Sequence, residues 1–321
     1  MFQSNIEYKE YLKKLKKSDL LNIINDYNEL CDIYNYEKIT ITKDKKEELI
    51  NLLNNVKDNY LKEIIMSLDK KDYFTLKQLF KKCSVESLND NRNLINYLKD
   101  KHILWINNTL EIPSDLYIKN LLKDKTILKH ISYWDNVYKY INGILVAYGA
   151  LDKAYFNTLI KNVKEYDKVL IMLKFYYKKE YIINEYMVFS NKLTNKKRID
   201  KYSKNKKRKT FTQKEFIDLG ASVFHHNIKS YKKLIKLLKN YYVFKKKDIK
   251  FVDVNIVMPY LYNKINEEKE ANIILNETII NLFEFKGEKL KERLLKEIES
   301  IREEFPLWEL GGYSKMERDK K

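Results

Sequence analysis

The chain has 321 residues, too many for one small core, and its 44% hydrophobic and 34% charged residues suit packed cores in a water-soluble protein. The longest uncharged run through its apolar middle, Tyr140 to Leu151, is far short of the roughly 20 residues that span a bilayer. Cys31 and Cys83 are the only cysteines, which excludes a disulfide framework and a zinc knuckle. The net charge of +18 points toward a polyanion, yet only six of the 63 cations are Arg, and Asn, Ile and Tyr abound. That bias follows A/T-rich codons, so only local concentrations of charge carry information. The opening MFQSNIEYKEYLKK has acids where a signal peptide has an apolar run, and the expected compartment is the cytoplasm.

Residues 1–55 read as a helical hairpin. Ser18 or Asp19 is placed to cap a first helix with Leu20, Ile24, Tyr27 and Leu30 or Cys31 on one face. Thr42 is placed to cap a second, with Leu49, Leu52, Leu53 and Val56 inward.

Two segments of one plan follow. In 56–122, Tyr60, Leu61, Ile64, Ile65 and Leu68 form a helical stripe, DYFTLKQLFKKC and SLNDNRNLINYLKD give two short helices, and ILWINNTLEIP closes as a hairpin about Asn107-Asn108. In 123–192, Val137, Tyr140, Ile141, Ile144, Leu145 and Tyr148 form the stripe. LDKAYFNTLIKNV and YDKVLIMLKFYY follow as helices, and EYIINEYMVFS is the hairpin. Tyr60 lies 43 residues before Ile103 and Val137 lies 44 before Tyr181. Helix, helix, helix, hairpin, given twice, predicts tandem winged-helix units. The third helix of the first copy offers Arg92 with Asn89, Asn91, Asn93 and Asn96, and the third helix of the second is too apolar to lie in a groove.

Residues 193–210 are a charged connector. NKKRIDKYSKNKKRK holds nine cations (Lys196, Lys197, Arg198, Lys201, Lys204, Lys206, Lys207, Arg208 and Lys209) against one acid, Asp200. It reads either as a solvated linker or as an arm that displaces counterions from a phosphate backbone. With Tyr202 its one aromatic, it is no stacking platform. From 211 to 321 the pattern is helical. Thr212 is placed to cap a helix that Gly220 ends, Pro259 begins or kinks another, and Leu290, Leu294, Ile298, Ile301 and Phe305 make a seam. The fold class is therefore mainly α: a helical hairpin, two winged-helix units with short β-hairpins, and an α-helical C-terminal domain.

LKKLKKSDLL followed by KDKKEELINLL resembles the SAP and Rho N-terminal helical module. The resemblance implies that Lys16, Lys17, Lys45 and Lys46, at helix N-termini, meet nucleic-acid phosphates. The small residue usual before the second helix is absent. LEIPSDLYIKNLL, GILVAYGALDKAYFNTLI through EYMVFS, and FPLWELGGYSKMER together resemble a poorly characterised bacterial family whose members often end in a SEC-C zinc-binding tail. No Cys-x-Cys tail follows here, so no zinc site is expected.

Nothing in the sequence marks an enzyme. His225 and His226 are adjacent, and on a helix they point about 100° apart instead of forming an i, i+4 metal pair. His102 and His130 are isolated, and no Gly-rich phosphate loop occurs. Glu47-Glu48 and Glu267-Glu268 read as solvated helix surface, and Trp308 as a packing residue of the C-terminal turn. The sequence thus predicts a non-enzymatic accessory protein without cofactor or membrane span, whose partner is DNA or RNA held through phosphates. The rival expectation is an adaptor for another protein, with the basic run only a linker.

Overall fold

The computed structural model describes residues 2–34, 36–43, 45–81, 91–106, 110–164, 169, 182–183, 187–189, 207–221, 228–241, 257–267, 269–280 and 288–320. The chain divides into two compact units, Met1–Asp135 with Asp167–Lys178 and Asn136–Tyr166 with Lys179–Lys321.

In the first unit, α1 (Tyr8–Lys14) leads into α2 (Lys17–Tyr34) and α3 (Lys46–Met66). Leu20, Ile23, Ile24, Tyr27, Leu30 and Cys31 are buried at helical spacing on α2, which packs on α3. α3 does not stop near residue 55, where the sequence predicts a domain boundary. No Gly or Pro interrupts Lys46–Met66, and the stripe of Leu49, Ile50, Leu53, Tyr60, Leu61, Ile64 and Ile65 is buried along one helix. The caps differ as well. Asp19, inside α2, accepts the Lys16 N–H at 3.1 Å. Lys45, not Thr42, precedes α3 and gives no side-chain cap, while Thr42 Oγ1 donates to Glu48 Oε1 at 2.6 Å.

α4 (Lys70–Lys81) and α5 (Arg92–Asp100) follow. α5 ends in a Schellman motif: His102 takes φ +54°, its N–H reaches Lys99 O at 2.9 Å, and the Ile103 N–H reaches Leu98 O at 3.1 Å. The predicted hairpin is present as β2 (Trp105–Ile106) and β3 (Leu110–Ile112), antiparallel with Trp105 opposite Glu111. A third strand joins it that no sequence signal announces. β1 (Phe2–Gln3) runs parallel to β3, giving the order β1-β3-β2. Asp115 fastens this N-terminal segment by accepting the Tyr8 N–H at 2.7 Å and pairing with Lys57. A short α6 (Ile118–Leu121) then leads to α7 (Lys125–Tyr148), which carries the chain from one unit into the other.

In the second unit, Val137, Tyr140, Ile141, Ile144, Leu145 and Tyr148 of α7 are all buried, as their spacing predicts. β4 (Ala150–Asp152), α8 (Lys153–Ile160), β5 (Ile182–Ile183) and β6 (Met187–Phe189) follow, with sheet order β4-β6-β5. β4, two residues past α7, pairs with β6 through Ala150–Phe189, Leu151–Val188 and Asp152–Met187. YDKVLIMLKFYY lies outside the described residues except for Val169, which is buried.

α9 (Gln213–Gly220) opens with the expected Thr212 cap, completed by Glu215 as a capping box. Gly220 serves another purpose than a left-handed stop. A Cβ there would fall 1.8 Å from Lys139 O, and one at Gly143 would fall 1.7 Å from Phe216 O, so α7 and α9 cross with their backbones nearly touching. Asn142 Nδ2 seals the crossing by donating to Gly220 O at 2.9 Å.

α10 (Lys229–Tyr241), α11 (Met258–Asn266, with Pro259 in its first turn), α12 (Ala271–Leu275, continuing as one π-turn over Asn276–Ile280), α13 (Glu288–Glu304) and α14 (Lys315–Arg318) complete the unit. α13 presses its predicted seam onto α10 and α12, with Leu290, Leu294, Ile298, Ile301 and Phe305 buried. The protein is mainly helical, and no helix among the described residues is long and apolar enough to cross a membrane.

Candidate nucleic-acid interface

The N-terminal lysines come together through the short turn between α1 and α2. Lys46 Nζ donates to Lys13 O at 2.8 Å, which brings the start of α3 beside that turn. Lys13, Lys14, Lys16, Lys17, Lys45 and Lys46 are all exposed there, around the first residues of two long helices. Both helix N-termini add partial positive charge in the same place. Of the nearby acids, Glu10 pairs with Lys13, Asp19 accepts the Lys16 N–H, Glu48 accepts from Thr42 and the Lys43 N–H, and Glu47 is exposed in the first turn of α3. Arg92 opens α5, exposed beside Asn93 with Asn96 one turn on, while Asn91 contributes no side-chain cap and Asn89 lies outside the described residues.

Of the nine cations in the basic run, Lys196, Lys197, Arg198, Lys201, Lys204 and Lys206 lie outside the described residues. The last three behave differently from one another. Lys207 is exposed. Arg208 turns inward, its guanidinium 4.5 Å from the Tyr155 ring centre and 3.8 Å from the Asp152 carboxylate. Lys209 pairs with Glu317 and lies 5.0 Å from the Phe211 ring centre, and its backbone is held at both ends. Its N–H donates to Gly311 O at 3.0 Å, and its carbonyl accepts the Tyr148 hydroxyl at 2.6 Å. Two of the nine candidate cations are thus fastenings of the second unit. Sequence reasoning missed this because Tyr155, Gly311 and Glu317 are between 53 and 108 residues away.

Those fastenings lead to the FPLWELGGYS segment. Trp308 is buried, its indole N–H donating to Val146 O at 2.7 Å and its backbone N–H to Asn266 Oδ1 at 2.9 Å. Tyr262 donates to the same Val146 oxygen and stacks edge-on with the indole. The segment closes the end of α7 against α11 and holds residues 207–211 in place, which is the packing role that the sequence suggests.

Among the described residues no three His, Cys, Asp or Glu side chains are grouped to hold a metal ion. His225 and His226 lie outside them. His102 is spent on the end of α5 and a 3.3 Å contact with the Tyr11 hydroxyl, and burial lowers its pKa. Comparison with known proteins gives no matching family model, no matching curated protein and no matching solved structure.

Proposed function

We propose that this chain is a non-enzymatic, nucleic-acid-associated accessory protein that grips phosphates without reading sequence. The observation that carries the reading is the exposed cluster of Lys16, Lys17, Lys45 and Lys46 at the N-termini of α2 and α3 with Lys13 and Lys14 at the end of α1, joined by the bond from Lys46 to Lys13 O. Such an arrangement suits a polyanion, because each phosphate neutralised releases condensed counterions. It agrees with what the resemblance to the SAP and Rho N-terminal module implies for Lys16, Lys17, Lys45 and Lys46. The basic run from Lys196 to Lys207 is the second grip in this reading, and Arg92 with Asn93 and Asn96 a minor one.

The tandem winged-helix architecture belongs to the same proposal. In both sheets the last strand of the hairpin lies in the middle and a third strand flanks it, β1-β3-β2 and β4-β6-β5. In the second unit that flanking strand follows the first helix directly, the order of a winged helix. In the first it arrives from the chain's beginning, so the two units reach one sheet by different connections.

Binding to random duplex DNA, single-stranded DNA and RNA across a salt titration tests the reading. Two variants are compared with the intact protein, one carrying Gln at Lys16, Lys17, Lys45 and Lys46, the other carrying Gln at the seven cations from Lys196 to Lys207. Each duplex phosphate that a variant no longer neutralises should flatten the log–log salt slope by about 0.9. No binding at low salt, or slopes that neither variant alters, would refute the proposal and favour a protein partner for the same surfaces.

A further inference from the structure

A second basic surface lies in the second unit, where no sequence motif marks one. α10 carries five lysines, Lys229, Lys232, Lys233, Lys236 and Lys239, and no acid. Its apolar face, with Tyr231, Leu234, Leu237 and Leu238 buried, packs on α13. Between the two helices runs an open groove of about 500 Å³. Lys233, Lys236 and Asn240 line one wall, Arg293, Lys296 and Glu297 the other, and Leu237 the floor.

Helices packed side by side ordinarily flank their seam with opposite charges. Here like charges face each other. Each wall carries its two cations three residues apart, on one helix face and about 4.5 Å apart along the axis. Of the six acids on α13, Glu304 accepts the Ser230 hydroxyl at 2.7 Å, Glu303 pairs with Lys315, and Glu288, Glu292 and Glu299 are exposed outside the groove lining. Among the described residues Glu297 is the one acid lining the groove. Lys233, Lys236, Arg293 and Lys296 are exposed, and none has an ion-pair or hydrogen-bond partner among the described residues. A concave site with four cations against one acid concentrates a positive field and attracts anions. The groove is open to solvent along the seam, so an extended strand lying over it would have cations on both sides. Among the described residues no aromatic lines the groove, so these offer nothing for bases to stack on.

We propose that this groove holds the phosphate backbone of a single nucleic-acid strand, with Lys233 and Lys236 on one side of it and Arg293 and Lys296 on the other. This deepens the function proposed above and rests on it. The test is binding of single-stranded RNA and DNA across a salt titration by the intact protein and by a K233Q/K236Q/R293Q/K296Q variant. All four side chains are exposed, so the variant should keep its thermal midpoint, measured by circular dichroism. The salt slope should flatten by about 3, at roughly 0.7 per single-strand phosphate. Bound strand should also shield Lys233, Lys236 and Lys296 of the intact protein from acetylation. If the intact protein binds no nucleic acid, the functional reading and this inference fall together. If it binds and the variant matches it in slope and affinity, only the groove is overturned. Equal shielding by inorganic pyrophosphate would overturn the strand in favour of a small-anion site.

Discussion

Glu63 gives the first unit a pH dependence that can be worked from its surroundings. It sits on α3, fully buried, with the Tyr36 hydroxyl donating to Oε1 at 2.9 Å and no partner for Oε2 among the described residues. Burial pushes its carboxyl from 4.5 up to about 7, against smaller lowering effects of the Tyr36 bond and the Lys62 charge. Tyr36 is itself pushed up to about 12, by burial first and then by Glu63. The folded protein therefore binds this proton more tightly than the unfolded chain does. The stability linked to it is fully present below about pH 4.5 and is lost as pH rises through 7. At ~1.4 kcal/mol per pKa unit the loss is about 3.4 kcal/mol. Glu63→Gln keeps an acceptor for Tyr36 and cannot ionise. The variant should exceed the intact protein by less than about 1 kcal/mol near pH 5 and by about 3 kcal/mol at pH 8. Urea unfolding from pH 5 to 8, read through amide exchange in α3, checks this. Parallel pH profiles for the two proteins would refute the reasoning.

Other consequences concern the second unit. Gly143→Ala and Gly220→Ala should each destabilise it by at least about 1–3 kcal/mol, measured by thermal unfolding, because backbone lies where the methyl would go. Trp308→Ala should cost about 3–5 kcal/mol. Trp308→Phe should cost less, since the ring stays buried while the bond to Val146 O is removed. Arg208→Gln and Lys209→Gln should lower the unfolding midpoint and leave the salt slope of nucleic-acid binding unchanged. Lys207→Gln should do the reverse.

Periodicity reveals the helices and the two hairpins because burial leaves a mark at every third or fourth residue. The stripes Tyr60 to Leu68 and Val137 to Tyr148 are buried as expected. Features made by a few residues across long separations leave no such mark. β1 is two residues whose partners lie more than 100 positions away, and β4 is three residues in an apolar stretch that also suits a helix end. Gly220 follows a helical pattern, which predicts a stop by positive φ; its absent side chain instead lets another helix approach. The boundary near 55 fails because a change in the predicted unit is not a change in backbone, and nothing in NNVKDNY breaks a helix. For the candidate interface, the lysine-led starts of α2 and α3 are legible from composition. Their convergence is not, since it comes from α1 and α2 packing on α3 and from a bond to a backbone oxygen. The groove between α10 and α13 is illegible for the same reason: each helix alone is an ordinary amphipathic one.

In a chain where codon bias multiplies Lys, the sum of +18 says little, and the informative places are those where acids fail to follow the cations. By that criterion Lys13, Arg208 and Lys209 drop out, each paired with an acid, while Lys14, Lys16, Lys45 and the groove, with four cations to one acid among the described residues, stay in. Whether these surfaces share one ligand is decided by how their salt slopes combine. If one strand touches the N-terminal cluster, the basic run and the groove together, neutralising each should remove its own share of the slope, and the shares should add up to that of the intact protein. If the surfaces bind separate molecules, the titration of the intact protein would resolve into independent sites, and removing one would leave the slopes of the others unchanged. Additive slopes would make the protein one extended clamp on a strand, and independent ones a bridge between strands.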